Sequence, residues 1–405
     1  MSASLPGTRR ALALVLLACV YVLDGYDLNA MAIAVPRLHG ALGLAPESFG
    51  WVFSALLIGM GSAAALLAPL GDRFGRRPLI VGGVLAVALS TLGTSTAHGV
   101  PEFIAWRLLT GAGLGACLPN CTALSAELAP ERLRATLMSV VSAGIPLGLA
   151  AAGIFAPAVV GLAGWQGLFL IPGVFAGLLL ALLWFTLPAG RPAGPPAAKS
   201  AKVPQVELLR PPARLPFLVF AGALTLNAIN LYMINSWLPT VLPRAGFTLD
   251  AAAWLAGTVQ LAGLVLGIVL SALIDRWRPA VTMVGSFTVM AACFLAIGLT
   301  PPDPQRWTLL LLVGVGGASA AGLALPALTA YLFPSRLLSS AVGMGVLVGR
   351  IGAIAGPLVG QAMLTAQVAP RLFLAAAALP AALAALICLG IPAALRARRE
   401  SEATA

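Results

Sequence analysis

The segment Ala123-Leu-Ser-Ala-Glu-Leu-Ala-Pro-Glu-Arg-Leu133 returns as Ala327-Leu-Thr-Ala-Tyr-Leu-Phe-Pro-Ser-Arg-Leu337. The offset is 204 residues, and 7 of the 11 positions are identical. Asp72-Arg73 returns as Asp275-Arg276 at an offset of 203. Repetition at this period points to one large unit duplicated within the chain.

Composition says what that unit is made of. Of 405 residues, 60% are apolar and 9% charged, against roughly 45–50% and about 25% in soluble domains. No soluble packing hides that much apolar surface, which excludes a water-soluble enzyme. The 44 glycines and 31 prolines lie inside apolar runs, as membrane helices tolerate. A net charge of +11 comes with no basic cluster long enough to grip nucleic acid. The five cysteines (Cys19, Cys117, Cys121, Cys293, Cys388) all fall in apolar segments, and Cys117 and Cys121 have no second pair. Neither a disulfide framework nor a metal site is expected. His39 and His98 sit in short loops without catalytic or ligating partners.

A helix needs about 20 apolar residues to cross a bilayer. Twelve such stretches can be marked, near 11–35, 49–70, 79–97, 102–128, 135–158, 167–187, 215–238, 252–274, 280–300, 307–331, 339–364 and 371–393. The first is too long for a cleaved signal and is interrupted by acids, so it reads as a retained helix. Residues 188–214, rich in Pro, Ala, Lys and Arg, read as a flexible linker between a half at 1–187 and a half at 215–405. The expected fold is therefore an all-α membrane protein of two six-helix halves, an architecture common among secondary transporters. Of the 24 Lys and Arg residues, 18 lie on the loops that share a side with the N-terminus. Only Arg37, Arg244, Arg306 and Arg371 lie opposite, while Arg107 and Arg350 fall inside the membrane. By the positive-inside rule both termini are expected in the cytoplasm.

Ionisable residues within spans are the sharpest functional signal, each costing at least ~2.5–3.5 kcal/mol at a helix centre. Asp24 and Asp27 in Leu23-Asp-Gly-Tyr-Asp27 lie about 20 and 24 Å from the cytoplasmic start of span 1 at ~1.5 Å per residue. Arg107 enters from the other face by about 8 Å. In a core ~30 Å thick that is the depth of Asp27. An Asp27–Arg107 pair, shared with Asp24, is expected as a working site; the alternative is a static lock between spans 1 and 4. Arg350 stands alone near the middle of span 11, about 17 Å from its start. An unpaired guanidinium suits a substrate carboxylate held by two parallel hydrogen bonds, or else backbone carbonyls or an acid of the first half.

Span 7 carries Asn227, Asn230, Tyr232, Asn235 and Ser236, span 4 carries Asn120 and Thr122, and Gln260 and Gln361 follow. Amides in lipid must face protein or water, so these either bind substrate or join helices. Tyr26, Phe53, Trp106, Tyr232 and Trp237 could form an aromatic wall. Glu102 and Glu127, near helix ends, are expected at headgroups or in capping contacts. The turn Gly71-Asp72-Arg73-Phe-Gly75-Arg76-Arg-Pro78 is compact and charged. Asp72 is expected to bond a neighbouring helix end or Arg134 in a cytoplasmic gate, with Asp275 and Arg336 in its second-half echo. There is no phosphate-binding G-x4-G-K-[ST] loop, so ATP is not the energy source. No nucleophile–base set is visible, no enzyme activity is expected, and no cofactor is implied.

At these residues the chain resembles the major facilitator superfamily, and within it the aromatic acid:proton symporters. The subgroup's D-G-x-D signature is matched by Asp24-Gly-Tyr-Asp27 with Pro36 beyond it, and its loop between helices 2 and 3 by Gly71 to Arg77. Arg107-Leu-Leu-Thr-Gly111-Ala-Gly113, Pro130-Glu-Arg, Asn235-Ser-Trp-Leu-Pro-Thr240 and Gly349-Arg-Ile-Gly-Ala-Ile354 match further motifs. Ala68 departs from the glycine usual at the loop's start, and Leu338 from an arginine usual in the second-half turn. The resemblance implies proton coupling by Asp24 and Asp27 with Arg107, and substrate carboxylate contact at Arg350, with Tyr26, Asn120, Asn230, Tyr232 and Asn235 nearby. It implies import of a benzoate- or hydroxybenzoate-like acid with protons, by a monomer in the bacterial inner membrane. Gly144-Ile-Pro-Leu-Gly148 partly resembles an exporter motif, which keeps export as an alternative; a non-transporting sensor or enzyme is a third.

Overall fold

A computed structural model describes residues 7–188 and 205–403. The chain divides into two compact units, Met1–Ala198 and Lys199–Ala405. In the first, α1 is Gly7–Leu42, α2 Gly50–Leu66, α3 Arg76–Thr94, α4 Val100–Leu128, and α6 Gly167–Thr186. Helix α5 runs in two segments, Arg134–Ser142 and Gly144–Ala163. In the second, α7 is Arg214–Val241, α8 Leu249–Arg276, α9 Pro279–Leu299, α10 Pro304–Leu332 and α11 Ser335–Thr365. Helix α12 runs in three segments, Pro370–Ala376, Ala378–Cys388 and Ile391–Ala403. Among the described residues eleven of these are long and apolar enough to cross a membrane. The twelfth, α4, matches them in length at 29 residues; Arg107, Asn120 and its other polar residues make it less apolar.

The interruptions have a common cause. Pro146, Pro380 and Pro392 each follow by four residues the last residue of a segment, Ser142, Ala376 and Cys388. A proline ring clashes with the carbonyl four residues back and gives it no hydrogen bond. Pro119, Pro239, Pro326 and Pro357 lie within helices that continue past them, as membrane helices allow when neighbours satisfy the freed carbonyls. The carbonyl of Pro357 itself accepts from Trp237 Nε1 at 2.9 Å, which ties α11 to α7.

Helix pairing follows the repeat. In the first unit α1 packs on α5 and α6, α4 on α2 and α3, and α3 on α6. The second unit has each of these pairings shifted by six: α7 on α11 and α12, α10 on α8 and α9, and α9 on α12. Helices in lipid gain little from apolar burial against one another, so small residues that permit close contact decide which faces meet. A Cβ at Gly25 would overlap the Ile145 carbonyl, and one at Gly148 the Val22 carbonyl. Those two glycines set the α1–α5 crossing beside Asp24 and Asp27. Gly352 and Gly356 do the same for α11 on α7, against Thr225 and Ile229.

Part of the expected linker is structured. Residues 189–204 lie outside the described residues, but Gln205–Leu209 form a 3-10 turn packed on α7 and α11. Glu207 on that turn holds Arg336 at 2.6 Å.

Candidate functional site

The first unit brings Asp27 and Arg107 together as a fork. Arg107 Nη1 donates to Asp27 Oδ2 at 2.6 Å and Nη2 donates to Oδ1 at 2.8 Å. Nη1 also reaches the Asp27 carbonyl at 3.3 Å. Each residue is 1% exposed. The guanidinium carbon stands 5.5 Å from the centroid of the Phe169 ring on α6, a cation–π contact that strengthens out of water. The equal depth of the two residues, counted along two separate helices, is the reason they can meet.

Both terminal nitrogens of Arg107 bond Asp27. Asp24 lies one turn earlier on α1 and is 2% exposed. Asn29, a turn beyond Asp27 at most, donates to the Leu149 carbonyl at 2.7 Å and ties α1 to α5. Tyr21 bonds the Thr122 hydroxyl and donates to the Leu118 carbonyl at 3.2 Å, tying α1 to α4. Sequence reasoning missed Tyr21 because an aromatic in an apolar run carries no partner signal. Gly144 and Gly148, read as a partial exporter motif, serve here to pack α5 against α1.

At the end of the unit that carries the N-terminus, Gly75 turns the chain with φ +91°, a conformation that favours glycine. Arg76, the first residue of α3, donates from Nε to Glu127 at 2.8 Å and lies 3.6 Å from Asp72. The expected Asp72–Arg134 pair is not among the described ion pairs; Arg134 is exposed. Asp72 sits in a helical turn at Leu70–Phe74, and the bend at Gly75 brings Arg76, at the start of the next helix, back beside it. Glu127 therefore belongs to this cluster rather than to headgroups. Glu102 does cap its helix, accepting from the His98 backbone N–H at 2.8 Å. Arg73 lies over Phe74 at 5.2 Å.

Asn120 belongs with this turn as well. Its amide donates to the Ala116 carbonyl at 2.8 Å and to Ala68 at 3.3 Å, and it fills the space a Cβ at Gly71 would need. Two arginines that composition marked only as topology anchors close α6. Arg9 donates to the carbonyls of Phe185 at 2.9 Å and Thr186 at 3.3 Å. Arg77 bonds the Trp184 carbonyl and covers its ring at 5.1 Å. Cations there satisfy the orphan carbonyls and complement the negative end of the helix dipole.

In the second unit Tyr331 donates to Asp275 Oδ1 at 2.7 Å. Arg398 caps α10 through the Ala330 and Tyr331 carbonyls at 2.9 and 2.7 Å. Asn227 donates to the Ala318 carbonyl at 3.0 Å. Asn230 donates to the Ala377 carbonyl at 3.0 Å and faces the Met290 sulfur. Both amides therefore join helices, though each keeps a buried carbonyl oxygen without a hydrogen-bond partner. Asn235 Oδ1 accepts from Gln260 at 3.0 Å, and Gln260 accepts from Ser319 at 3.1 Å, a polar chain across α7, α8 and α10. Tyr232 is half-buried, and the Tyr26 hydroxyl is buried without a hydrogen bond.

Arg350 is half-buried, and no hydrogen bond or ion pair involves it among the described residues. Gly349 and Gly352 put the opposite side of α11 against α7. Gln361, three turns beyond, keeps a buried amide oxygen without a partner. Among the described residues no group of His, Cys, Asp and Glu could hold a metal ion.

Two units of six helices with the same pairing, and a buried carboxylate–guanidinium fork inside one of them, define a membrane transporter and not an enzyme. The chain belongs to the Major Facilitator Superfamily, whose family model matches residues 17–357. It is 33% identical to the 3-(3-hydroxy-phenyl)propionate transporter of Escherichia coli, over 85% of both chains. It is 31% identical to the 4-hydroxybenzoate transporter PcaK of Pseudomonas aeruginosa, over 90% of this chain and 88% of that one. Its fold matches the crystal structure of a bacterial homolog of the human lysosomal transporter Spinster with a TM-score of 0.81. That match covers 97% of this chain and 99% of the other, at 17% identity.

Proposed function

We propose that this protein imports small aromatic carboxylates of the hydroxybenzoate kind together with protons, by alternating access. The observation that carries the substrate class is the similarity, along nearly the whole chain, to two transporters named for hydroxylated aromatic acids. The proton path is supported by the Asp27–Arg107 fork, with Asp24 one turn away. A carboxylate that leaves a guanidinium in a dry site takes up a proton more readily, and one that rejoins it gives the proton up. Arg350 is the substrate's carboxylate partner in this reading, since a half-buried guanidinium with no partner among the described residues offers two parallel donors. The arginine-rich loops support a cytoplasmic location for both chain ends, in the inner membrane of a bacterium, with the monomer as the working unit.

The test is uptake of labelled 4-hydroxybenzoate and 3-(3-hydroxyphenyl)propionate into proteoliposomes. Under an inside-alkaline pH gradient the acid accumulates, and a protonophore abolishes the accumulation. Uptake that only equilibrates, whatever the gradient, refutes proton coupling. Failure of every aromatic acid in the panel to enter or compete refutes the substrate class.

A further inference from the structure

An apolar groove of about 420 Å³ opens on the second unit between α8, α9 and α10. Leu266, Leu273, Val289 and Val313 supply much of its wall, and Gly285 and Gly317 supply its depth. One end is closed by Trp277, which is 68% exposed. Arg276 and Arg278 flank that tryptophan, both exposed. Neither guanidinium has a hydrogen bond or ion pair among the described residues. The adjacent acid, Asp275, already accepts the Tyr331 hydroxyl.

We propose that this groove holds an anionic glycerophospholipid of the surrounding leaflet, with its phosphate on Arg276 and Arg278 and one acyl chain between α8 and α9. Length agrees. From Leu266 on α8 to Trp277 just past its end is about 17 Å at ~1.5 Å per residue, close to the ~15 Å that one leaflet contributes to the hydrocarbon core. Chemistry agrees as well. A tryptophan at the rim belongs at the headgroup level, and paired cations just outside an apolar segment attract anionic lipids. A zwitterionic lipid would bring its own cation against two arginines that have no ion pair among the described residues. The inside of the groove offers only apolar walls and the Thr282 and Ser286 hydroxyls; Thr282 turns its hydroxyl back to the Arg278 carbonyl at 3.3 Å. That lining suits a chain of methylenes and not an aromatic acid in solution, so the lipid site does not depend on the transported substrate.

The full chain in detergent, offered equal amounts of phosphatidylglycerol and phosphatidylcholine, is examined by native mass spectrometry. The wild type is expected to retain phosphatidylglycerol selectively. A Cβ at Gly285 meets no atom within 4 Å, so a side chain can start there, and Gly285→Leu is expected to fill the groove and abolish retention with both arginines intact. Each of Arg276→Gln and Arg278→Gln should weaken phosphatidylglycerol binding about fivefold. Equal retention of the two lipids, no retained lipid, or undiminished retention in Gly285→Leu or in the double arginine variant overturns the proposal. Should Gly285→Leu fail to fold, fluorescence decides. Acyl-brominated phosphatidylglycerol must quench the part of the emission lost in Trp277→Phe more strongly than brominated phosphatidylcholine does, and equal quenching refutes the site.

Discussion

Glu127 and Tyr331 occupy equivalent positions of the internal repeat, 204 residues apart, and each binds its helix to the charged turn of its own unit by different chemistry. In the first unit Arg76 bridges Glu127 and Asp72. In the second, Pro279 stands where the offset of 203 would put that arginine. With no cation between them, a second carboxylate would repel Asp275. Tyr331 instead reaches Asp275 directly as a hydroxyl donor. The first unit thus uses two acids and a cation where the second uses one acid and a phenol.

The two devices should respond differently to substitution. Tyr331→Phe removes one hydrogen bond at an exposed acid, and Arg76→Gln removes a partly exposed ion pair, which at a protein surface contributes ~0–1 kcal/mol. Neither should move the melting temperature by more than about two degrees. If these contacts gate access, transport rates and the labelling of single cysteines from each side of the membrane change in both variants. Only Arg76→Gln should lose its effect in high salt, because screening acts on charge pairs. Unchanged rates and labelling would reduce both contacts to helix caps.

The buried fork gives a sharper expectation. Arg107→Ala leaves the Asp27 carboxylate in a dry site without its partner, a loss of about 3–5 kcal/mol, and should lower thermal stability markedly. Asp27→Asn removes the titratable carboxylate but keeps a side chain of the same shape at Arg107. We expect it to fold, to bind aromatic acid, and to lose accumulation driven by the pH gradient. Wild-type accumulation in Asp27→Asn would remove Asp27 from the proton path.

Gly25, between the two acids, can be tested as a packing residue. Gly25→Ala puts a methyl into the Ile145 carbonyl, and overpacking of this kind costs about 1–3 kcal/mol. Gly82→Ala, where a Cβ meets nothing within 4 Å, is the control and should be neutral or slightly stabilising. Equal melting temperatures for the two variants would contradict the close α1–α5 crossing.

Arg350 separates a binding role from a bracing one. It has no protein partner among the described residues, so Arg350→Lys and Arg350→Ala should both fold with melting temperatures near the wild type. Lysine keeps the charge but loses the planar fork. A charge-assisted bond contributes ~1.5–3 kcal/mol, so direct binding of 4-hydroxybenzoate should weaken tenfold or more in the lysine variant. Uncharged amide analogues should not compete in the wild type. Unchanged affinity in folded variants would refute the assignment.

Much of this protein was legible along the chain. Span number follows from hydropathy over about 20 residues, a local quantity that needs no knowledge of neighbours. The duplication is visible in aligned residues, and helix pairing in the second unit repeats the first. Asp27 and Arg107 could be matched because depth in a bilayer is residue count times a fixed rise. Each of these is a one-dimensional property.

Partners across helices were a different matter. The sequence offered Arg134 to Asp72, while the folded chain places Arg76 there. It offered Asn120 and Asn230 to a ligand, while Asn120 donates to the Ala116 carbonyl of its own helix and to Ala68 in the turn after α2, and Asn230 donates to the Ala377 carbonyl of α12. It held no sign that Arg9 and Arg77 would close α6. These outcomes depend on how each helix is rotated about its axis. In water an apolar stripe announces that rotation, but a helix in lipid is apolar on its outer face as well as its inner one. Rotation is set instead where two backbones approach closely, as at Gly25, Gly148 and Gly111 in one unit and at Gly352 and Gly356 in the other. Such contacts exist only once both helices are in place.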